Sequence, residues 1–100
     1  MVQATTPTFV LTIQDEIDLG EAQNVYFSLR QGSYVLQKTG ESMTIDGNTV
    51  SIYLDQAETL PFKEGIAELQ LNWTYQDGSR ACSVIKKIEV EENLLKKVIE

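Results

Sequence analysis

The chain has 100 residues, of which 42% are hydrophobic and 23% are charged, and this composition is typical of one folded soluble domain. Its net charge of −7 has the wrong sign for a protein that follows the phosphates of a nucleic acid, and no apolar run has the length of a membrane span. The single cysteine, Cys82, excludes an intrachain disulfide and any multi-cysteine metal site. We therefore expect one domain that binds neither nucleic acid nor membrane.

Alternating apolar residues predict the first strand at Thr8–Ile13. The acidic stretch Gln14–Glu21 breaks this pattern, so we expect a loop with one helical turn there. Several carboxylates on one loop can hold a calcium ion, but their spacing here is not that of a calcium-binding loop. The carboxylates are those of Asp15, Glu16, Asp18 and Glu21. We interpret this stretch as a solvated acidic loop and predict no metal ion.

Two hairpins are predicted next. Asn24–Gln31 alternates again, and a reversal centred on Gln31-Gly32 places Leu29 opposite Tyr34 and Phe27 opposite Leu36. The second hairpin turns at Asp46-Gly47-Asn48. Its inward residues are Met43, Ile45, Val50, Ile52 and Leu54.

A short helical turn is predicted after the second hairpin. Asp55 and Glu58 have the spacing of a capping box, in which each side chain accepts a backbone N–H of the other residue. This turn carries the chain across to the next strand, near Phe62.

The strongest strand pattern is Ile66–Tyr75, which turns Ala67, Leu69, Leu71, Trp73 and Tyr75 inward. We expect Trp73 to pack between two sheets against the residues around Phe27 and Leu36. The turn Gln76–Ser79 leads into a further strand at Arg80–Val90.

Strict alternation along Arg80–Val90 places Cys82 inward with Val84, Ile88 and Val90, as a buried structural thiol. The same alternation points Lys86 inward. Either a β-bulge or a position at the rim of the sheet would resolve this conflict.

About seven short strands at even spacing predict an all-β fold, an immunoglobulin-like antiparallel β-sandwich, with a closed barrel as the alternative. We place the sandwich domain at residues 1–92 and a C-terminal docking tail at residues 93–100. Four apolar residues of the tail fall at helical spacing, so we predict a short helix that docks on its own domain or on a partner, and we favour the partner. These residues are Leu94, Leu95, Val98 and Ile99.

No catalytic, phosphate-binding or cofactor-binding motif appears in the sequence, so we expect neither an enzyme nor a bound cofactor. If the first, second and fifth strands share a sheet, then Val10, Tyr26 and Tyr53 adjoin on its outer face. Exposed tyrosines suit a protein interface. The predicted protein-binding residues are therefore Val10, Tyr26, Tyr53, Leu94, Leu95, Val98 and Ile99.

A resemblance to a known class of proteins extends over nearly the whole chain and is carried by three segments: VYFSLRQGSYVLQKTGESMTIDGNTVSIYLDQAETLPFKEG, IAELQLNWTYQDGSRACSVIKKIEV and NLLKKVIE. They resemble small proteins encoded among the tail genes of tailed phages and prophages of Gram-positive bacteria. Those proteins look like the immunoglobulin-like N-terminal domains of baseplate and receptor-binding proteins.

The resemblance implies a structural or assembly protein of a phage tail or baseplate, which is assembled in the host cytoplasm and located in the virion. Its implied partners are other tail or baseplate proteins, and a homo-oligomer is a further arrangement to test. The resemblance carries over no catalytic residue and points only to NLLKKVIE for binding. The alternative is a carbohydrate-binding or adhesion module that stacks sugars on Tyr26, Tyr53 and Tyr34.

Overall fold

A computed structural model describes residues 1–13 and 19–99 as two antiparallel sheets. The first sheet contains, in spatial order, β1 (Thr8–Thr12), β5 (Thr49–Tyr53) and β4 (Met43–Asp46). The second contains β3 (Tyr34–Thr39), β2 (Asn24–Gln31) and β6 (Gly65–Thr74), and its far edge holds both β7 (Arg80–Cys82) and β8 (Lys86–Val90). The helical elements are two 3-10 turns, Leu19–Glu21 and Gly40–Ser42, and α1 (Gln56–Thr59). Among the residues described, no helix is long and apolar enough to cross a bilayer.

The hydrophobic core lies between the two sheets. The first sheet contributes Leu11, Val50 and Ile52, and the second contributes Val25, Phe27, Leu29, Ala67, Leu69, Leu71, Trp73 and Val90. The rings of Phe9 and Phe27 meet across the sheets with centroids 6.3 Å apart. The prediction of an all-β sandwich is confirmed, and the two separate sheets count against the barrel alternative.

The hairpin between β2 and β3 turns one residue later than predicted. Gln31 pairs with Tyr34 across the loop Gly32-Ser33, so Leu29 lies opposite Leu36. Gly32 has a φ of +58°, and a positive φ at the first position of a two-residue hairpin loop favours glycine. The shift of two residues along β3 puts Lys38 opposite Phe27, on the core side of the strand.

A β-bulge separates β7 from β8. Cys82 pairs with Asn72 and Lys86 pairs with Leu69, so four steps along one strand match three along the other. The extra residue reverses the alternation, and Cys82 is therefore exposed. The prediction of a buried structural thiol is wrong. The bulge precedes Lys86, which stays on the inward side opposite the buried Leu69 and is nevertheless exposed, so the rim position and not the bulge accounts for Lys86.

Trp73 is buried in the core, as predicted, and its indole N–H donates to the Tyr75 hydroxyl at 2.9 Å. It pairs with Val25 on β2 and with Ala81 on β7. Leu36 instead lies in the row of Leu29 and Leu69, two inward positions away along β6. Leu36 is therefore farther from Trp73 along the sheet than predicted, because the register of β3 differs from the predicted one.

The capping box around α1 is confirmed. The Glu58 N–H donates to Asp55 Oδ1 at 2.9 Å, and the Asp55 N–H donates to Glu58 Oε1 at 3.0 Å. Glu58 Oε1 also lies 2.8 Å from Lys38 Nζ, which donates to the Tyr53 carbonyl at 2.9 Å. Lys38 therefore connects the β3 edge of one sheet to the end of β5 in the other.

Candidate interaction surface

Val10 and Tyr53 lie together on the outer face of the first sheet. Val10 pairs with Ser51 and Thr8 pairs with Tyr53, so the two side chains are diagonal neighbours on one face. Both are more than half exposed, at 62% and 53%. This pair forms a small apolar and aromatic patch next to the open edge of β1.

Tyr26 does not belong to that patch. It is exposed, but it lies on β2 in the second sheet, whose outer face points the other way. The predicted adjacency of Val10, Tyr26 and Tyr53 is wrong, because the chain crosses from one sheet to the other between β1 and β2. Alternation shows which residues point outward but not which sheet a strand joins.

The surface around Tyr26 is a shallow, polar depression on the outer face of the second sheet. It is also lined by Ser28, Gln37, Asn72 and Arg80. The Arg80 guanidinium donates to Asn72 Oδ1 from Nη2 at 3.0 Å and from Nε at 3.3 Å. Tyr26 is the only aromatic residue that lines this depression.

The Tyr34 side chain makes its contacts within the domain. Its hydroxyl donates to the Glu58 carbonyl at 3.0 Å, and its ring meets Phe62 edge-on with centroids 4.8 Å apart. Burial, followed by the negative charges of Glu58 and Asp55, raises the pKa of the Tyr34 hydroxyl above its ordinary value. The hydroxyl therefore stays protonated as a donor to Glu58.

The tail does not form the predicted helix. Glu91 makes a parallel bridge to Val2, and the residues described beyond it, up to Ile99, adopt neither helix nor strand. A helix this short is marginal without packing. Polar contacts hold the tail instead: Asn93 Nδ2 donates to the Gln3 carbonyl at 3.0 Å, and the Gln56 side chain bonds the main-chain N–H and C=O of Ile99 at 2.8 and 3.1 Å.

The apolar side chains of the tail remain exposed although its main chain is attached. Leu94 is 92% exposed, and Leu95, Val98 and Ile99 are each exposed by about half. Lys96 forms an ion pair with Glu92 at 3.0 Å, so the tail also carries charge. The domain thus fixes the path of the tail, leaves Leu94 almost fully exposed and covers the other three apolar side chains by about half.

Two further apolar residues are exposed at the bulge. Val84 is 86% exposed and Ile85 is 51% exposed. The predicted inward position of Val84 is wrong because the bulge interrupts the alternation, whereas an outward Ile85 agrees with that alternation. The conflict at Lys86, for which a β-bulge was one of two explanations, was the signal that could have revealed this patch.

The acidic loop offers no metal site in the part of the chain that can be described. Asp15, Glu16 and Asp18 lie outside the described residues, and Glu21 is exposed in a 3-10 turn. Elsewhere in residues 1–13 and 19–99, no group of three or more potential ligands comes together.

Comparison with known proteins found no matching family model, no matching curated protein and no matching solved structure. The function must therefore be inferred from the surfaces of this chain and from its sequence.

Proposed function

We propose that this protein is a non-enzymatic structural or assembly protein of a phage or prophage tail or baseplate, located in the virion, that acts through contacts with other tail proteins. The exposed apolar side chains of the C-terminal tail of this chain, residues 93–100, are the observation that carries this proposal. Burying each such side chain fully contributes about 1.5–3 kcal/mol. These side chains are not part of the domain core, and Leu95, Val98 and Ile99 are already about half buried. A neighbouring protein that covers them therefore gains most of this free energy at Leu94 and about half of it at each of the others.

The strand order supports an immunoglobulin-like version of the sandwich. The order β1-β5-β4 corresponds to the B-E-D part of one immunoglobulin sheet, and β3-β2-β6-β7 corresponds to C′-C-F-G of the other. This correspondence agrees with the resemblance to the immunoglobulin-like N-terminal domains of baseplate and receptor-binding proteins. Such domains attach distal modules to the tail, which is a contact function.

The carbohydrate-binding alternative gains less support. Sugar rings stack on exposed aromatic faces, and an extended platform needs several rings on one surface. Tyr26 and Tyr53 lie on the outer faces of opposite sheets, and Tyr34 is bonded to Glu58. Under this alternative the depression around Tyr26 is the candidate sugar site.

Deleting residues 94–100 tests the role of the tail. This deletion keeps Asn93 and its bonds to Gln3. It removes two exposed hydrogen bonds between Gln56 and Ile99, the bond from the Leu95 N–H to Asn93 Oδ1 and the exposed ion pair of Lys96 with Glu92. We expect a loss of about 1–3 kcal/mol in unfolding free energy, because a hydrogen bond contributes about 1 kcal/mol net and an exposed ion pair about 0–1 kcal/mol. We expect capture of the products of the neighbouring tail genes to be abolished.

The matched control is Gln56→Ala, which releases the end of the tail from the domain but keeps its apolar side chains. It should still capture the partners. Full partner capture by the truncated protein, or a large drop in its melting temperature, would contradict the proposed role of the tail. A screen against host cell-wall polysaccharides with Tyr26→Ala addresses the alternative, which predicts saccharide binding that this substitution removes.

A further inference from the structure

Sheet edges expose unpaired backbone groups, and proteins usually protect them. The β7/β8 edge is interrupted by the bulge, and the N-terminus bridges to it at Val2 and Glu91. The β3 edge carries a lysine, Lys38, on its core side. The β4 edge is only four residues long and ends in Asp46. Each of these three edges therefore has a feature that disfavours strand addition.

The β1 edge has none of these features. Its five residues, TFVLT, contain no charge and no proline. The bonds that flank the strand are Leu54 N–H to the Pro7 carbonyl at 3.0 Å and Ile13 N–H to the Asn48 carbonyl at 2.8 Å. Because bonded pairs alternate in an antiparallel ladder, Phe9 and Leu11 bond to β5.

Thr8, Val10 and Thr12 consequently direct their N–H and C=O groups toward the open side of β1. In the described ranges, no backbone group lies against them there. The Val10 residue is also 62% exposed.

We propose that β1 pairs antiparallel with β1 of a second copy of this chain, with Val10 on the two-fold axis. In this register Thr8 lies opposite Thr12 of the second copy, and Val10 lies opposite Val10. The open-side residues of each copy then form bonded pairs with those of the other, and the two three-stranded sheets become one six-stranded sheet.

The side chains favour a second copy over another partner. The facing pairs are Thr with Thr and Val with Val, and such β-branched pairs stabilise neighbouring strands. The chain carries a net charge of −7, yet β1 contributes none of it, so the pairing places no like charges in the ladder. Val84 lines the same small cleft as Val10, about 140 Å³ in volume, together with the charged Lys86, and the second copy would cover part of the apolar surface of Val84.

The size of the contact sets the expected strength. A five-residue ladder with one apolar cleft is smaller than the roughly 1,200–2,000 Å² of surface buried by a standard stable interface. The pairing is therefore a weak, concentration-dependent dimer. The proposed dimer goes beyond the proposed role in a phage tail or baseplate. It does not depend on that role, because the dimer is inferred from the β1 edge alone.

The test uses the full-length protein at increasing concentration, by sedimentation velocity and by amide hydrogen exchange. We expect reversible dimerisation, with the amides of Thr8, Val10 and Thr12 becoming protected as the dimer forms. The amides of Phe9 and Leu11 should be protected at every concentration. A protein that stays monomeric throughout, or open-side amides that exchange equally fast at all concentrations, would overturn the proposal.

Substitutions at Val10 test whether the dimer forms through the β1 edge or through another sheet edge. Val10→Pro removes an open-side N–H without breaking the ladder to β5, and Val10→Lys places two positive charges opposite each other. Each should weaken the dimer by about tenfold or more. The matched control is Val35→Pro, at the equivalent open-side position of the β3 edge, which should leave dimerisation unchanged.

Wild-type affinity in both Val10 variants, or equal weakening by Val35→Pro, would show that β1 is not the interface. If Val10→Pro does not fold, Val10→Lys and the amide exchange of the unsubstituted protein still decide the question.

Discussion

Trp73→Ala is expected to destabilise the domain by about 3–5 kcal/mol, which approaches the whole stability of an ordinary small domain. Trp73 is buried on β6 between Val25 and Ala81 in the second sheet. Truncation removes the largest buried side chain and leaves a cavity at this end of the core. It also removes the indole donor to the Tyr75 hydroxyl.

Urea unfolding followed by circular dichroism measures this effect. The matched control is Tyr26→Ala, which truncates an aromatic ring on the outer face of the adjacent strand and should change the free energy of unfolding by about 0.5 kcal/mol or less. An unfolding midpoint for Trp73→Ala equal to that of the unsubstituted protein would contradict the assignment of Trp73 to the core.

Lys38→Met is expected to cost about 2–3 kcal/mol, because it removes one partner from a mostly buried ion pair. The side chains of Lys38 and Glu58 are 15% and 23% exposed. The substitution leaves the Glu58 carboxylate without its cation and the Tyr53 carbonyl without the donor from Lys38. The methionine keeps most of the apolar stem, so the measured loss reports mainly on the charge.

A double-mutant cycle isolates this interaction. Glu58→Gln keeps an oxygen that can accept the Asp55 N–H of the capping box but removes the charge. The double variant should be more stable than the sum of the two single effects predicts. The control is Arg30→Met in the exposed pair with Glu68, 54% and 38% exposed, where a loss of about 0–1 kcal/mol is expected. Equal losses at the two pairs would show that Lys38 does not connect the sheets as described.

Much of the local structure could be predicted because its determinants are close in sequence. The alternation of Phe9 and Leu11, or of Leu69 and Leu71, fixes the buried face of each strand. The capping box of Asp55 depends on residues within one helical turn. These elements were predicted correctly.

The predictions that were wrong depend on contacts between residues far apart in sequence, or on interruptions of the two-residue alternation of a strand. Cys82 is exposed because a bulge inserts one residue between Cys82 and Lys86. Strict alternation counted from Val90 toward Cys82 does not include this extra residue and therefore places Cys82 on the wrong face. The tail has a helical pattern, but its hydrogen bonds to Gln3 and Gln56 hold it in another conformation. Such tertiary contacts override a weak local propensity.

The interaction surface was only partly predictable for the same reason. Outward positions such as Val10 and Tyr53 follow from alternation, but their sheet partners depend on where the chain crosses between sheets. The open edge of β1 has no sequence signature, because it is defined by the absence of a neighbouring strand in the described part of the chain. The edge became visible only once the strand order was known.

The composition of purified virus particles tests the proposed function most directly. Under the proposed function a phage or prophage encodes this chain, and its particles would be purified by density gradient and analysed by quantitative mass spectrometry. We predict that the chain is present at a fixed ratio to the baseplate proteins, and that deletion of residues 94–100 removes it from the particles. Its absence from intact particles, with the protein found only free in the lysate, would contradict a structural role in the virion.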